Sequence, residues 1–126
     1  MSPEDEIVFV VDDDARVREA IGELLASLGW RAETFAAAAD YVAGAKPDLP
    51  ACLILDIERP DINGLEFQAQ LSRGVHPPIV FITGHGDIPS SVRAMQGGAV
   101  NFLTKPVGEQ DLVAAVRSAI NRDRLQ

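Results

Sequence analysis

A chain of 126 residues, 47% apolar and 24% charged, has the composition of one ordinary globular domain and is too short for two cores. Its formal net charge of −8 argues against direct nucleic acid binding, which would require a basic face. No apolar run approaches the roughly 18 residues of a membrane span, and the start SPEDE lacks the basic character of a secretory signal. A cytoplasmic domain without membrane contact is therefore expected. Cys52 is the single cysteine, so it has no internal disulfide partner. It lies inside the apolar run ACLIL and reads as an inert core residue.

Taken in chain order, Ile7 to Asp12 reads as a buried strand that runs into three consecutive aspartates, Asp12, Asp13 and Asp14. Val17, Ile21, Leu24, Leu25 and Leu28 then recur with helical spacing, and Gly29 is a natural stop with Trp30 packing back behind it. A weak strand at 31–35 and a short alanine-rich helix from Ala36 to Gly44 end at the breaker KPDLP. Ala51 to Asp56 is again a buried-type strand ending on an aspartate. Beyond the turn DING a helix is expected near Leu65 to Leu71.

Pro77 and Pro78 introduce the strand IVFIT at 79–83. A helix from Ile88 to Gln96 follows, with Asp87 as its cap and Pro89 in its first turn. Ala99 to Leu103 is the last strand. Leu112, Val113, Val116 and Ile120 mark the closing helix. Five β/α units with non-alternating apolar strands predict a parallel sheet covered on both faces by right-handed crossovers, a doubly wound sandwich.

Such folds bind ligands at the carboxyl ends of their strands. Those ends carry Asp12-Asp13-Asp14, Asp56, Thr83 and Lys105. Two carboxylates about 4 Å apart repel by roughly 1 kcal/mol in water and about 4 kcal/mol at an intermediate dielectric, so the cluster needs a reason. Asp14 reads as the cap of the first helix. With a strand order 2-1-3-4-5, Asp13 and Asp56 face each other across the switch point. Carboxylates joined by a hydroxyl and an ammonium suit Mg²⁺, a hard cation.

These residues sit in the stretches VVDDD, LILDIERPDING, VFITGHGD and NFLTKP, in that order. Over nearly its whole length the chain resembles the receiver domain of two-component response regulators, and ITGHGDIP with GGAVNFLTKP is most similar to the FixJ-like branch. The resemblance implies a (βα)5 flavodoxin-like, CheY-like sandwich forming one receiver domain over residues 1–126, with its core at about 6–121 and no output domain. It implies that Asp56 is the phosphoacceptor. Asp12, Asp13 and the Glu58 backbone carbonyl would hold Mg²⁺ with Asp56, and Asp13 would be a direct ligand. It assigns Lys105 to the phosphoryl oxygen, Thr83 to the switch hydroxyl and Phe102 to the aromatic that turns inward on activation. The donor would be a sensor histidine kinase or a histidine phosphotransfer protein, docking beside Arg16, Glu19 and Glu23. Homodimerisation through the fourth helix, fifth strand and fifth helix would use Arg93, Asp111 and Arg117.

The chain departs from the pattern at Arg59, where the family commonly has an apolar residue. His76 and His85 lack metal spacing and read as surface or turn residues, His85 at the mouth of the site. The receiver reading makes the domain a signalling module that acts only on its own phosphoryl group, not an enzyme. The alternative is an Mg²⁺-dependent phosphohydrolase with an aspartyl-phosphate intermediate. Its D-x-D-x-[TV] motif is not met, because Ala15 and Arg16 follow Asp14.

Overall fold

The computed structural model describes residues 5–58, 62–84 and 88–125. Among these described residues five strands and five helices alternate: β1 (Ile7–Val11), α1 (Ala15–Ser27), β2 (Arg31–Phe35), α2 (Ala38–Ala43), β3 (Ala51–Asp56), α3 (Gly64–Leu71), β4 (Ile79–Thr83), α4 (Ile88–Gln96), β5 (Asn101–Thr104) and α5 (Glu109–Arg124). All strand pairs are parallel, and the sheet order is β2-β1-β3-β4-β5. This is the doubly wound arrangement that the alternating pattern predicts.

The continuous apolar runs follow from burial on both faces. Ile7, Phe9 and Val11 of β1 join Leu53 and Leu55 of β3 against Tyr41 of α2 and Phe67 of α3. The intervening residues Val8, Val10, Cys52 and Ile54 point the other way, against Leu25 of α1 and Leu112 and Val116 of α5. Each fully buried aliphatic or aromatic side chain contributes about 1.5–3 kcal/mol, so the three central strands tolerate no polar residue before their ends. Cys52 is fully buried, and burial pushes its thiol far above the usual range, as expected of an inert core residue.

Chain ends of the helices follow local chemistry. Asp14 caps α1 by accepting from the N–H groups of Arg16 (2.9 Å) and Val17 (3.5 Å). The helix closes at Gly29 (φ +92°), with N–H groups of Gly29 and Trp30 returning to the carbonyls of Ala26 and Leu25. The same closure ends α4, where Gly98 takes φ +102° and Ala99 donates to Ala94 O. That bond moves the start of β5 from the expected Ala99 to Asn101, because Ala99 is committed to the helix end. Likewise β1 stops at Val11 and α2 begins at Ala38 rather than Ala36. No helix among the described residues is long and apolar enough to cross a membrane.

Candidate functional site

Three strands deliver carboxylates or a hydroxyl to one edge of the sheet, and a fourth delivers an ammonium. Asp12 follows β1, Asp56 ends β3, Thr83 ends β4, and Lys105 follows β5. Asp12, Asp56 and Thr83 are buried, whereas Asp13 is exposed. One oxygen from each of Asp12, Asp13 and Asp56 falls within 4.8 Å of the others. Lys105 reaches across the ends of β3 and β4 to this cluster, with Nζ 3.0 Å from Asp12 Oδ2 and 3.3 Å from Asp56 Oδ2.

Backbone bonds fix this geometry. Lys105 N–H donates to Thr83 O (2.8 Å), which sets the lysine at the end of β4, and the Lys105–Pro106 peptide is cis. Asp14 N–H donates to Asp12 Oδ1 (2.9 Å), and Glu58 N–H donates to Asp56 Oδ1 (3.1 Å). Each aspartate therefore has one oxygen held by the backbone and the other turned toward Lys105. The Lys105–Asp12 contact is an ion pair and not an aligned hydrogen bond, so the buried Asp12 Oδ2 has no hydrogen-bond partner. Burial raises the Asp56 carboxyl above its ordinary range, and repulsion from Asp12 adds to this; Lys105 and the Glu58 N–H oppose both without cancelling them. Burial works to depress Lys105, but the Asp12 and Asp56 carboxylates outweigh it and hold the ammonium charged.

A buried carboxylate oxygen without a hydrogen-bond donor, inside a set of three carboxylates, fits a hard cation such as Mg²⁺. The chemistry of the donor set thus agrees with the ion that the sequence suggests.

The family profile of the response regulator receiver domain matches residues 8–117. The chain belongs to that family. Nodulation protein W of Bradyrhizobium diazoefficiens is 48% identical to the receiver domain over 119 residues, covering 94% of this chain and 52% of that protein. The solved response regulator StyR is 44% identical with a TM-score of 0.86, covering 96% of this chain and 62% of that one. FixJ-N is 34% identical with a TM-score of 0.83, covering 93% and 94%. The likeness supports the FixJ-like branch and the five-stranded sheet order. This receiver domain spans about half the length of the curated relative Nodulation protein W.

The structure brings Asp12, Asp13, Asp56, Thr83 and Lys105 of the receiver domain together. Phe102 is half-buried one strand away, its ring 6.4 Å from that of Phe81, its partner in the β4–β5 register. Arg59, His85 and Asp87 lie outside the described residues. His76 sits at the opposite end of β4, its Nδ1 2.7 Å from Pro77 O. Arg117, expected at a dimer face, lies over the Trp30 ring at 5.5 Å on the α1 side of the sheet. Two contacts were not foreseen. Arg18 donates to Asp12 O (2.8 Å), tying the second turn of α1 to the site, and Thr83 Oγ1 donates to Glu58 Oε1 (3.3 Å). A basic residue one turn beyond the Asp14 cap was the available signal for the first. Nothing in the spacing signals the second.

Proposed function

We propose that this receiver domain takes a phosphoryl group from a phosphohistidine onto Asp56. The reading is carried by one observation: Asp12, Asp13 and Asp56 converge, and Lys105 pairs with both of the buried ones. Receiver domains of two-component systems work with histidine kinases; a sensor kinase or a histidine phosphotransfer protein is the donor proposed here.

Asp56 Oδ2 is the nucleophile, since Oδ1 is held by the Glu58 N–H. The new oxygen–phosphorus bond forms as the phosphorus–nitrogen bond of the donor breaks, and the freed imidazole departs. Both reactants are negative, so the attack needs local positive charge. Lys105 supplies a compact ammonium beside Asp56 that can follow a phosphoryl oxygen, a role for which arginine is no equivalent. Asp12, Asp13, Asp56 and the Glu58 backbone carbonyl would hold Mg²⁺, which when bound neutralises charge and aligns donor and acceptor. Water later hydrolyses the acyl phosphate and restores the carboxylate, so the domain turns over only its own phosphoryl group. No observation favours the phosphohydrolase alternative.

The signal leaves through Thr83 and Phe102. Thr83 moves to donate to a phosphoryl oxygen, and Phe102 turns into the space beside Phe81. The change reaches the face formed by α4, β5 and α5. There α4 exposes Ile88, Val92 and Met95, a surface suited to homodimerisation, whereas Arg93 lies on the α3 side of α4, in a groove with Leu65, Gln68 and Ser72. The donor docks on α1, where an open groove of about 290 Å³ runs from Val17 and Leu24 to Pro106 and Val107 beside Lys105. The proposed extent is one receiver domain over 1–126 in the cytoplasm.

The test is intact mass after incubation with acetyl phosphate and Mg²⁺. A single phosphoryl adduct that requires Mg²⁺ and is lost in Asp56→Asn is expected; an adduct that survives in Asp56→Asn refutes the assignment.

A further inference from the structure

Thr83 has one hydroxyl proton, and the structure already gives that proton an acceptor. Thr83 Oγ1 donates to Glu58 Oε1 across 3.3 Å, from a threonine that is only 1% exposed. Glu58 reaches it because β3 and β4 are neighbours. Asp56 pairs with Ile82 in the register, and Ile57 N–H donates to Ile82 O (3.1 Å), which lays the turn after β3 alongside Thr83. The backbone N–H of the same Glu58 is held by Asp56 Oδ1 (3.1 Å). Glu58 is thus fastened at one end to the proposed phosphoacceptor and at the other to the proposed switch hydroxyl.

We infer that the Glu58 side chain is a positioning residue that holds Thr83 in its resting orientation and so sets the threshold for switching. The inference rests on the reading of Asp56 as phosphoacceptor. A hydroxyl donates one hydrogen bond, so Thr83 serves either Glu58 or a phosphoryl oxygen, never both. A carboxylate is the stronger kind of acceptor, and phosphorylation must outbid it. The incoming group does so in two ways. It carries about −1.5 to −2 charges, which repel the Glu58 carboxylate, and it presents three acceptor oxygens. The one event weakens the resting bond and offers its replacement, which makes the switch steeper than a free hydroxyl would be.

The test uses ¹⁵N-labelled protein titrated with beryllofluoride in the presence of Mg²⁺, with the amides of Ala99 to Asn101 reporting the switch and ¹⁹F resonances reporting uptake. Wild type is compared with Glu58→Gln, Glu58→Ala, Thr83→Val and the Glu58→Ala/Thr83→Val double variant. Glu58→Ala should switch at a concentration about threefold to tenfold lower, as expected for loss of one modest hydrogen bond. Glu58→Gln, which keeps an acceptor but not the charge, should fall between wild type and Glu58→Ala. In the Thr83→Val background, Glu58→Ala should shift the threshold clearly less, by only the direct repulsion between the carboxylate and the bound anion.

A threshold that Glu58→Ala leaves unaltered, or one that shifts equally with and without Thr83, overturns the inference and leaves Glu58 as a bystander or a plain repulsive charge. Absence of beryllofluoride uptake by wild type would instead bring down the reading of Asp56 itself.

Discussion

Lys105 Nζ lies 3.0 Å from Asp12 Oδ2, although two strands separate β5 from β1 in the sheet. The lysine crosses the tops of β3 and β4 and meets a carboxylate that is wholly buried. Removing one partner of a buried pair leaves the other charge uncompensated, at a cost of about 3–5 kcal/mol in a closed site. Lys105 retains some solvent access, its side chain being 21% exposed, so the expected loss is smaller. Lys105→Met should destabilise the domain by about 1–3 kcal/mol in urea denaturation at neutral pH. Added Mg²⁺ should restore part of that loss, since Asp12 and Asp56 are then the groups in need of a cation.

Asp56 predicts the opposite sign. Its folded pKa stands above the ordinary carboxylate value because burial and Asp12 disfavour the charge. A raised carboxylate favours folding most where it is protonated, below its unfolded pKa, and that contribution disappears as pH rises through the folded value. At neutral pH the charge therefore weighs against the fold. Asp56→Asn should be more stable than wild type by about 1 kcal/mol at neutral pH, the order of one like-charge contact. The difference should shrink on acidification through the upper carboxylate range, as denaturation midpoints across that range would record.

Gly64 carries a steric prediction. A Cβ there would stand 2.7 Å from Ile57 Cα and 2.9 Å from Asp56 O, both backbone atoms that cannot rotate away. Gly64 N–H also donates to Ile57 O (2.9 Å), which folds the start of α3 onto the end of β3. Gly64→Ala should cost about 1–3 kcal/mol, the usual range for overpacking, and should displace the Asp56 backbone. Loss of stability together with slower acetyl phosphate labelling is the expected result.

Glu6 predicts an acid-labile clamp. It accepts from Trp30 Nε1 (2.8 Å) and pairs with Arg124, joining the start of β1 to the ends of α1 and α5. Burial works to raise its carboxyl, but Arg124 and Trp30 outweigh this and hold it below the ordinary value of 4.5. A depressed carboxylate stabilises above its unfolded pKa and loses that contribution as pH falls through the folded value. Glu6→Gln should lose about 1 kcal/mol at neutral pH. The gap to wild type should close as denaturation is repeated at falling pH, through the depressed folded pKa of Glu6, below which both side chains are neutral.

Much of this was legible in the sequence. The runs IVFVV, ACLILD and IVFIT announce strands buried on two faces, and their last residues place Asp12, Asp56 and Thr83 at one edge once the sheet order is known. The start of β5 was less legible, because helix closure at Gly98 takes Ala99 from the strand, a tertiary choice that local propensity does not carry. The division of labour in the aspartate cluster was also hidden. Just past the end of β1 at Val11, Asp12 is buried and Asp13 exposed, a difference that two identical adjacent residues do not announce. The Thr83–Glu58 bond needs β3 and β4 side by side, a pairing between residues far apart in sequence.

The central claim is that Asp56 carries the phosphoryl group as an acyl phosphate, and borohydride trapping tests it most directly. Hydride reduces an acyl phosphate to an alcohol with release of phosphate, leaving a permanent mark on the residue that bore it. After treatment with acetyl phosphate and Mg²⁺, followed by borohydride, peptide sequencing by mass spectrometry should find the reduced side chain at position 56 alone. Reduction at Asp12 or Asp13, or a phosphoryl adduct that leaves no reduced residue at 56, would contradict it.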